Sequence, residues 1–419
     1  MTLQANFRQV VYALSDALDL VGVDDVAHGK RVGIMAAECA RVMGLAADQV
    51  CFLFDLGLLH DIGVSSTVSH QHLVTEFDWA GSQTHAVVGY ELLKDFEPLA
   101  NMAAPIRYHH TRWDVLVDQG VDATTRRLAN LILLVDRVDA LTAPYYASHQ
   151  VMQHISEIRH EIESRAETYF DPELVQVFLK ASAHEAFWLN LEPRAVEGYL
   201  QTMLKTCERQ VTSSEHLLGL ARIFSSIVDA KSQFTAAHSL GVSKVARALA
   251  EYMGVPEAQC DELEVAGLLH DLGKLRVPDE VLDKPAPLDA TERAVMNAHS
   301  FETMQILRKI DGFEHIASWA ADHHEAPGGK GYPYGLDGAV LPLEARILRV
   351  ADIFQAMVQD RPYRPGLSRD EVAAFMRLLR EQGSVDATIV EVLLAQLATL
   401  FDLAQKPSQN HQVNPAETE

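Results

Sequence analysis

The sequence predicts an all-α protein: two tandem helical bundles joined by a helical linker. Three observations carry that expectation. First, one series of metal-ligand residue types occurs twice in the same order. His28, His60-Asp61, His85, His109-His110 and Asp136 are followed by His238, His270-Asp271, His299, His323-His324 and Asp352. The first step is 32 positions in both halves (28 to 60, 238 to 270), and the step from single to double histidine is 24 (85 to 109, 299 to 323). Second, a glycine stands 16 positions after each leading histidine, at Gly44 and Gly254, where a helical period stops. Third, no segment of useful length alternates apolar and polar residues as a strand does, apart from turn-rich pieces around 327–342.

Taken in order, residues 28–44 place Val32, Ala36 and Val42-Met43 on a helical period, and 49–64 form an apolar helix delivering His60-Asp61 at its C-terminal end. Residues 1–192 are expected to make the first bundle. Residues 193–229 read as one long polar-faced helix or a helix pair, a connector between the halves. In the second bundle, 230–404, residues 238–254 set Leu240, Val245, Leu249 and Tyr252-Met253 on one period, and 261–275 is the apolar helix ending in His270-Asp271. The polar, Pro-containing tail 405–419 is expected to be disordered.

Composition narrows the function. A net charge of -23 argues against binding nucleic-acid polymers or anionic membranes, which want clustered Lys and Arg. An anionic small substrate remains open if its basic contacts are local. No apolar run approaches membrane-spanning length, and the N-terminus has no basic region of a secretory signal, so a cytoplasmic location is expected. The four cysteines, Cys39, Cys51, Cys207 and Cys260, form no CxxC pair and read as buried thiols rather than disulfides. His70 and His72 read as loop residues rather than ligands.

Imidazole and carboxylate suit Fe, Mn and Zn, with Ni and Mg also compatible. Adjacent His and Asp side chains can reach two cations, with the carboxylate bridging them. Such a pair can clamp the attacking and leaving oxygens of a displacement at phosphorus. Any one of these histidines alone reads as a capping or core residue; seven recurring in register do not.

The second half resembles the HD-GYP family of cyclic-dinucleotide phosphodiesterases, from about Ile227 to Leu367. The resemblance lies in LLHDLGKLRVPDEVLDKP (268–285), AHSFETMQIL (298–307), HHEAPGGKGYPYGL (323–336) and ARILRVADIFQAMVQDRPYR (345–364). It implies an HD-type bundle with two divalent transition metals. His238, His270, Asp271 and Asp352 would hold one; Asp271, His299, His323 and His324 the other. It further implies Lys274, with Asp271, as catalytic groups and Gly331, Tyr332, Pro333, Arg361 and Arg364 as substrate contacts. The implied reaction opens cyclic di-GMP or 3',3'-cyclic GMP-AMP to the linear 5'-phosphorylated dinucleotide. The rival is a non-catalytic cyclic-dinucleotide receptor acting through partner contacts, and a homodimer or a signalling protein partner fits either. Phe234 stands where three-metal members carry Glu, so two metals are expected. Gly328, Thr303, Gln355 and Val358 also depart from the family pattern.

The first half resembles the wider HD superfamily, or a diverged HD-GYP copy. His28, His60, Asp61, His85, His109, His110 and Asp136 make a candidate second metal site. Val64 takes the place of Lys274, and no Gly-Tyr-Pro follows His109-His110. Arg112 or Arg137 is the candidate to compensate for the missing cation. Three readings stay open: an idle regulatory domain with metal, a second hydrolase acting on the linear product, and a packing domain.

Overall fold

The computed structural model describes residues 5–21, 27–77, 79, 81–208, 211–231, 238–360 and 365–405. Helices account for nearly all regular structure. Among the described residues there is no strand, only isolated bridges such as Gly328 to Asp337 within the turn-rich loop. No single described helix is long and apolar enough to cross a membrane.

The chain divides into two compact units: Leu18–Gln210 forms one, and 1–17 groups with 211–412 in the other. Both differ from a cut at residue 192, for local reasons. In the second unit, Thr212 N donates to Ala5 O (3.0 Å) and Gln9 Nε2 to Lys309 O (3.1 Å), so the chain's first helical turns join the later sequence. Lys309 also pairs with Asp16. The expected connector is a helix pair, Pro193–Thr206 and Ser214–Lys231, and its members go to different units. Pro193–Thr206 buries Val196, Leu200 and Met203 in the first unit. Its C-cap residue, Cys207, is disulfide-bonded to Cys51 across a Cα–Cα distance of 6.0 Å. That corrects the expectation of free thiols. With the two cysteines 156 positions apart in sequence, only tertiary folding could reveal the pairing; Cys39 and Cys260 stay free and buried. The tail 406–419 lies outside the described residues.

Each unit contains the same helix pair. His28–Val42 packs on Ala47–Leu59, and His238–Tyr252 on Glu257–Leu269. The first helix of each pair ends as expected, with Gly44 and Gly254 at φ 71° and 74°. Such left-handed geometry costs glycine little and closes the last turn. The pairs cross closely because small residues meet there. A Cβ on Gly57 would lie 2.6 Å from Gly33 Cα, and one on Gly267 2.7 Å from Ser243 Cα. Backbone contact at that point fixes where the following His-Asp emerges. The leading helices also start alike. Asp19 accepts from Gly29 N (2.9 Å) and Asp229 from Ser239 N (3.2 Å), an aspartate nine positions before each leading histidine.

Candidate metal and substrate site

In the second unit, distant stretches deliver the predicted ligands to one place. His238 begins its helix. His270 caps Glu257–Leu269, and Asp271 leads into the 3-10 turn Leu272–Arg276. His299 lies in Ala290–Leu307, His323 and His324 in the 3-10 turn Asp322–His324, and Asp352 in Leu343–Val358. Asp271 is central. Its Oδ1 faces His299 Nε2 (3.5 Å) and His323 Nε2 (3.8 Å), while Oδ2 faces His270 Nε2 (3.3 Å) and Lys274 Nζ (2.6 Å). His238 Nε2 meets Asp352 Oδ1 at 3.2 Å.

The rings are oriented by backbone. Nδ1 of His270, His299 and His323 each donates to a carbonyl three residues back: Gly267 (2.8 Å), Met296 (2.7 Å) and Ala320 (2.6 Å). That leaves Nε2 with its lone pair toward the centre. Burial pushes His299 down to about 4 and His324 to about 3, so both are neutral near pH 7. Although burial opposes it, His270 and Lys274 hold the Asp271 carboxyl far below its usual range. Neutral His299 and His324 beside the ionised Asp271 are the donor state a divalent cation requires; His270 differs, since burial pulls it down but Asp271 raises it, so an entering ion would displace its proton. Buried His270 Nε2 and Asp271 Oδ1 lack hydrogen-bond partners within the protein, as atoms reserved for an ion would. The residues present therefore fit a metal centre.

A cation and a shaped loop flank this cluster. Lys274 stays charged: burial opposes the ammonium, but Asp271 outweighs it. Tyr332 sets its ring 4.7 Å from that of His324 and 6.3 Å from that of His299. Gly331 approaches so closely that a Cβ would lie 2.4 Å from Ala326 N. Pro333 follows in the same turn, and Arg361 and Arg364 lie outside the described residues, as does Phe234. Thr303, a departure from the family pattern, accepts from Gly273 N (3.0 Å) and donates to His270 O (3.1 Å), so it braces the His-Asp turn.

Two residues near this cluster were missed in the sequence. Glu325 is fully buried and accepts from Tyr334 N (2.6 Å), Gly335 N (3.0 Å) and Leu336 N (2.9 Å), folding the loop that presents Tyr332. Its place directly after His324 was the available signal. Arg349 lies one helical turn before Asp352 with Nε on Ser384 O (2.9 Å).

The first unit repeats the cluster. Asp61 Oδ1 faces His85 Nε2 (3.0 Å) and His109 Nε2 (3.6 Å); Oδ2 faces His28 Nε2 (3.6 Å) and His60 Nε2 (3.4 Å). Asp136 Oδ1 lies 3.5 Å from His28 Nε2. His60 and His109 again donate Nδ1 to carbonyls three residues back. Nε2 of His28, His60 and His110 is buried without a hydrogen-bond partner. Val64 is buried where the lysine would be. Arg137 is committed to Asp136 and the carbonyls of Leu73 and Phe77, and Arg112 to Asp114. Both line, with His110, Trp79 and Tyr169, a small, partly open cleft. His70 and His72 lie on the helix Thr67–Thr75, not in a loop; His70 bonds Val21 O and His72 bonds Glu76, and neither joins the cluster.

Comparison with known proteins matches this duplication. Residues 26–143 and 214–389 each match the HD domain family. The 3'3'-cGAMP-specific phosphodiesterase 1 of Vibrio cholerae serotype O1 is 35% identical over 410 residues, 96% of this chain and 95% of that one. The chain belongs to the HD-GYP phosphodiesterase family. The cyclic di-GMP phosphodiesterase response regulator RpfG of Xanthomonas campestris is 38% identical over 162 residues, 38% of this chain and 42% of that one. The crystal structure of a cyclic GMP-AMP-specific phosphodiesterase from V. cholerae (V-cGAP3) superposes with a TM-score of 0.62 at 24% identity, covering 96% of this chain and 99% of that one, a likeness of fold. HD-GYP members with two HD domains in tandem are thus the setting for both clusters.

Proposed function

We propose that this chain is a metal-dependent phosphodiesterase that opens a cyclic dinucleotide to the linear 5'-phosphorylated dinucleotide, with the chemistry in the second unit. The observation that carries the reading is Lys274, held charged on Asp271 among seven converging ligand groups and beside the Tyr332 loop. His238, His270, Asp271 and Asp352 would hold one cation and Asp271, His299, His323 and His324 the other, Fe or Mn before Zn, Ni or Mg. Bound there, the two cations would supply Lewis-acid polarisation of the phosphate and a nucleophile at neutral pH. The chain's own residues do the rest. Lys274 donates to a non-bridging phosphate oxygen as negative charge grows on it. Tyr332 closes one wall of the pocket, and Arg361 and Arg364 would contact the substrate.

Between cyclic di-GMP and 3',3'-cyclic GMP-AMP, the hybrid is the preferred substrate. Full-length similarity to a 3'3'-cGAMP-specific phosphodiesterase supports it. The first unit would bind metal through His28, His60, Asp61, His85, His109, His110 and Asp136 without opening a cyclic substrate. Val64 offers no cation, and Arg137 is already spent on Asp136.

Product analysis decides the matter. Whole protein loaded anaerobically with Mn(II) or Fe(II) is expected to release linear dinucleotide, faster from the hybrid. Lys274→Ala should slow turnover on the order of 10²- to 10³-fold, the scale for removing one oxyanion donor, and H270A/D271A should abolish it. Nucleotide binding without any linear product in the metal-replete wild type would favour the receptor reading.

A further inference from the structure

The two clusters differ in what stands behind their leading histidine. In the first unit, Asp139, three residues after Asp136 on the same helix face, accepts from His28 Nδ1 at 2.8 Å. The carboxylate is also gripped by Arg31 through Nε (2.6 Å) and Nη2 (2.9 Å), and by Tyr146 Oη (2.7 Å). The Arg31 guanidinium lies over the Tyr146 ring, 4.1 Å from its centroid. His28, Arg31 and Asp139 are 3%, 2% and 1% exposed, so nothing in this group is available to solvent. The result is one tautomer and one ring orientation for His28, with Nε2 aimed at Asp61 and Asp136.

The second unit has exchanged these partners together. Gln355 stands three residues after Asp352, and Gly241 three residues after His238, where the first half has Asp139 and Arg31. A Cβ on Gly241 would lie 2.3 Å from Gln355 Cδ, so the amide fills space that the arginine fills in the other half. Gln355 Nε2 donates to Ala404 O (3.3 Å), and its Oε1 has no partner. Among the described residues, no carboxylate accepts from His238 Nδ1. Asp139 and Arg31 form a mutually neutralising pair, so the joint loss leaves the site's net charge unchanged. What differs is the hydrogen-bonded carboxylate behind the ligand.

We propose that the Asp139, Arg31 and Tyr146 brace on His28 makes the first unit the retentive metal site of this chain, leaving the second, catalytic site as the one that exchanges its cations with the surroundings. The proposal rests on the metal assignment to both clusters made above. It gives the two halves a division of labour: a permanently metallated unit and a catalytic unit whose occupancy follows metal supply. Asp139 is here a positioning residue, acting through His28. Removing such a partner typically weakens metal binding 10- to 100-fold.

Elemental analysis after chelation tests this. Whole protein loaded anaerobically with Mn(II) would be challenged with EDTA, and the metal retained per chain counted over time. H270A/D271A is expected to retain as much as wild type, and H60A/D61A to lose essentially all. D139N should weaken Mn(II) binding by the first unit roughly 10- to 100-fold. Tyr146→Phe, which removes one hydrogen bond and keeps both charges, should shift it in the same direction and serves if D139N does not fold. Equal release from both sites, or unchanged affinity in D139N and Tyr146→Phe, overturns the proposal. If H60A/D61A takes up as much Mn(II) as wild type before chelation, the metal assignment itself fails, a separate and recognisable outcome.

Discussion

Glu325 shows how much one buried carboxylate can organise. Three consecutive amides of the loop after Gly331-Tyr332-Pro333 end on its two oxygens. Glutamine keeps the shape but offers one oxygen and an NH₂ that opposes an amide donor. Glu325→Gln is expected to cut kcat/KM roughly 10- to 100-fold through a misplaced Tyr332 wall, with bound metal unchanged. Unaltered kinetics would show that the loop holds itself. Asp229 makes a different kind of prediction. Burial raises its carboxyl to about 6 against an ordinary 3.8, with His238 and Ser239 opposing. Between pH 4 and 6 the folded chain keeps a proton that the unfolded chain has released, so this residue's contribution to stability declines as pH rises through that window. Asp229→Asn cannot ionise and loses that slope. Denaturant midpoints should show the stability of the variant relative to wild type improving by on the order of 2 kcal/mol from pH 4 to pH 7. A constant difference would mean that Asp229 is not titrating. Residues like these were hard to read in the sequence, because a lone Glu or Asp looks the same whether it faces water or three buried amides.

At the level of elements, the register of each site is set by glycines where helices touch. Gly63 and Gly273, each three positions after the leading His of a His-Asp pair, lie where a Cβ would be 2.0 Å from His85 O and 2.1 Å from His299 O. Those carbonyls belong to the helices that carry the next ligand, so the turn cannot move away without dragging a ligand with it. Gly273→Ala should therefore destabilise the second unit by about 1–3 kcal/mol and lower its metal content, read by thermal melting and elemental analysis together. Retained metal with a normal melt would count against the close approach. The repeat was legible because it is written in local features: helix stops at Gly44 and Gly254, and His-Asp pairs at helix ends. The converging of seven residues per half followed from their spacing. What was not legible depends on contacts between distant segments. The helix Thr67–Thr75 that carries His70 and His72 has a polar, weakly periodic sequence, and Cys51 meets Cys207 only once Pro193–Thr206 has docked. The Asp139 brace needs Arg31 from a helix far earlier in the sequence, and the pattern of ligands says nothing of it.

For the whole molecule, charge and substrate carry the same sign. The chain bears a formal net charge of -23, and a cyclic dinucleotide carries one negative charge on each of its two phosphates. At low ionic strength the long-range field therefore repels the substrate, while attraction is local to the site, from Lys274 and the cations the cluster would hold. The Debye length falls from about 30 Å at 0.01 M to about 8 Å at 0.15 M. Screening over that range removes most of the distant repulsion and little of the contact attraction. The expected outcome is that kcat/KM rises with salt, roughly two- to threefold between 10 and 150 mM, then falls as the phosphate contacts themselves weaken. Phosphate-binding proteins with a basic surface do the opposite and lose affinity steadily as salt increases. A monotonic fall of kcat/KM from 10 mM upward would place the dominant field at the site rather than over the surface, and would mean that the acidic exterior is electrically hidden from the pocket.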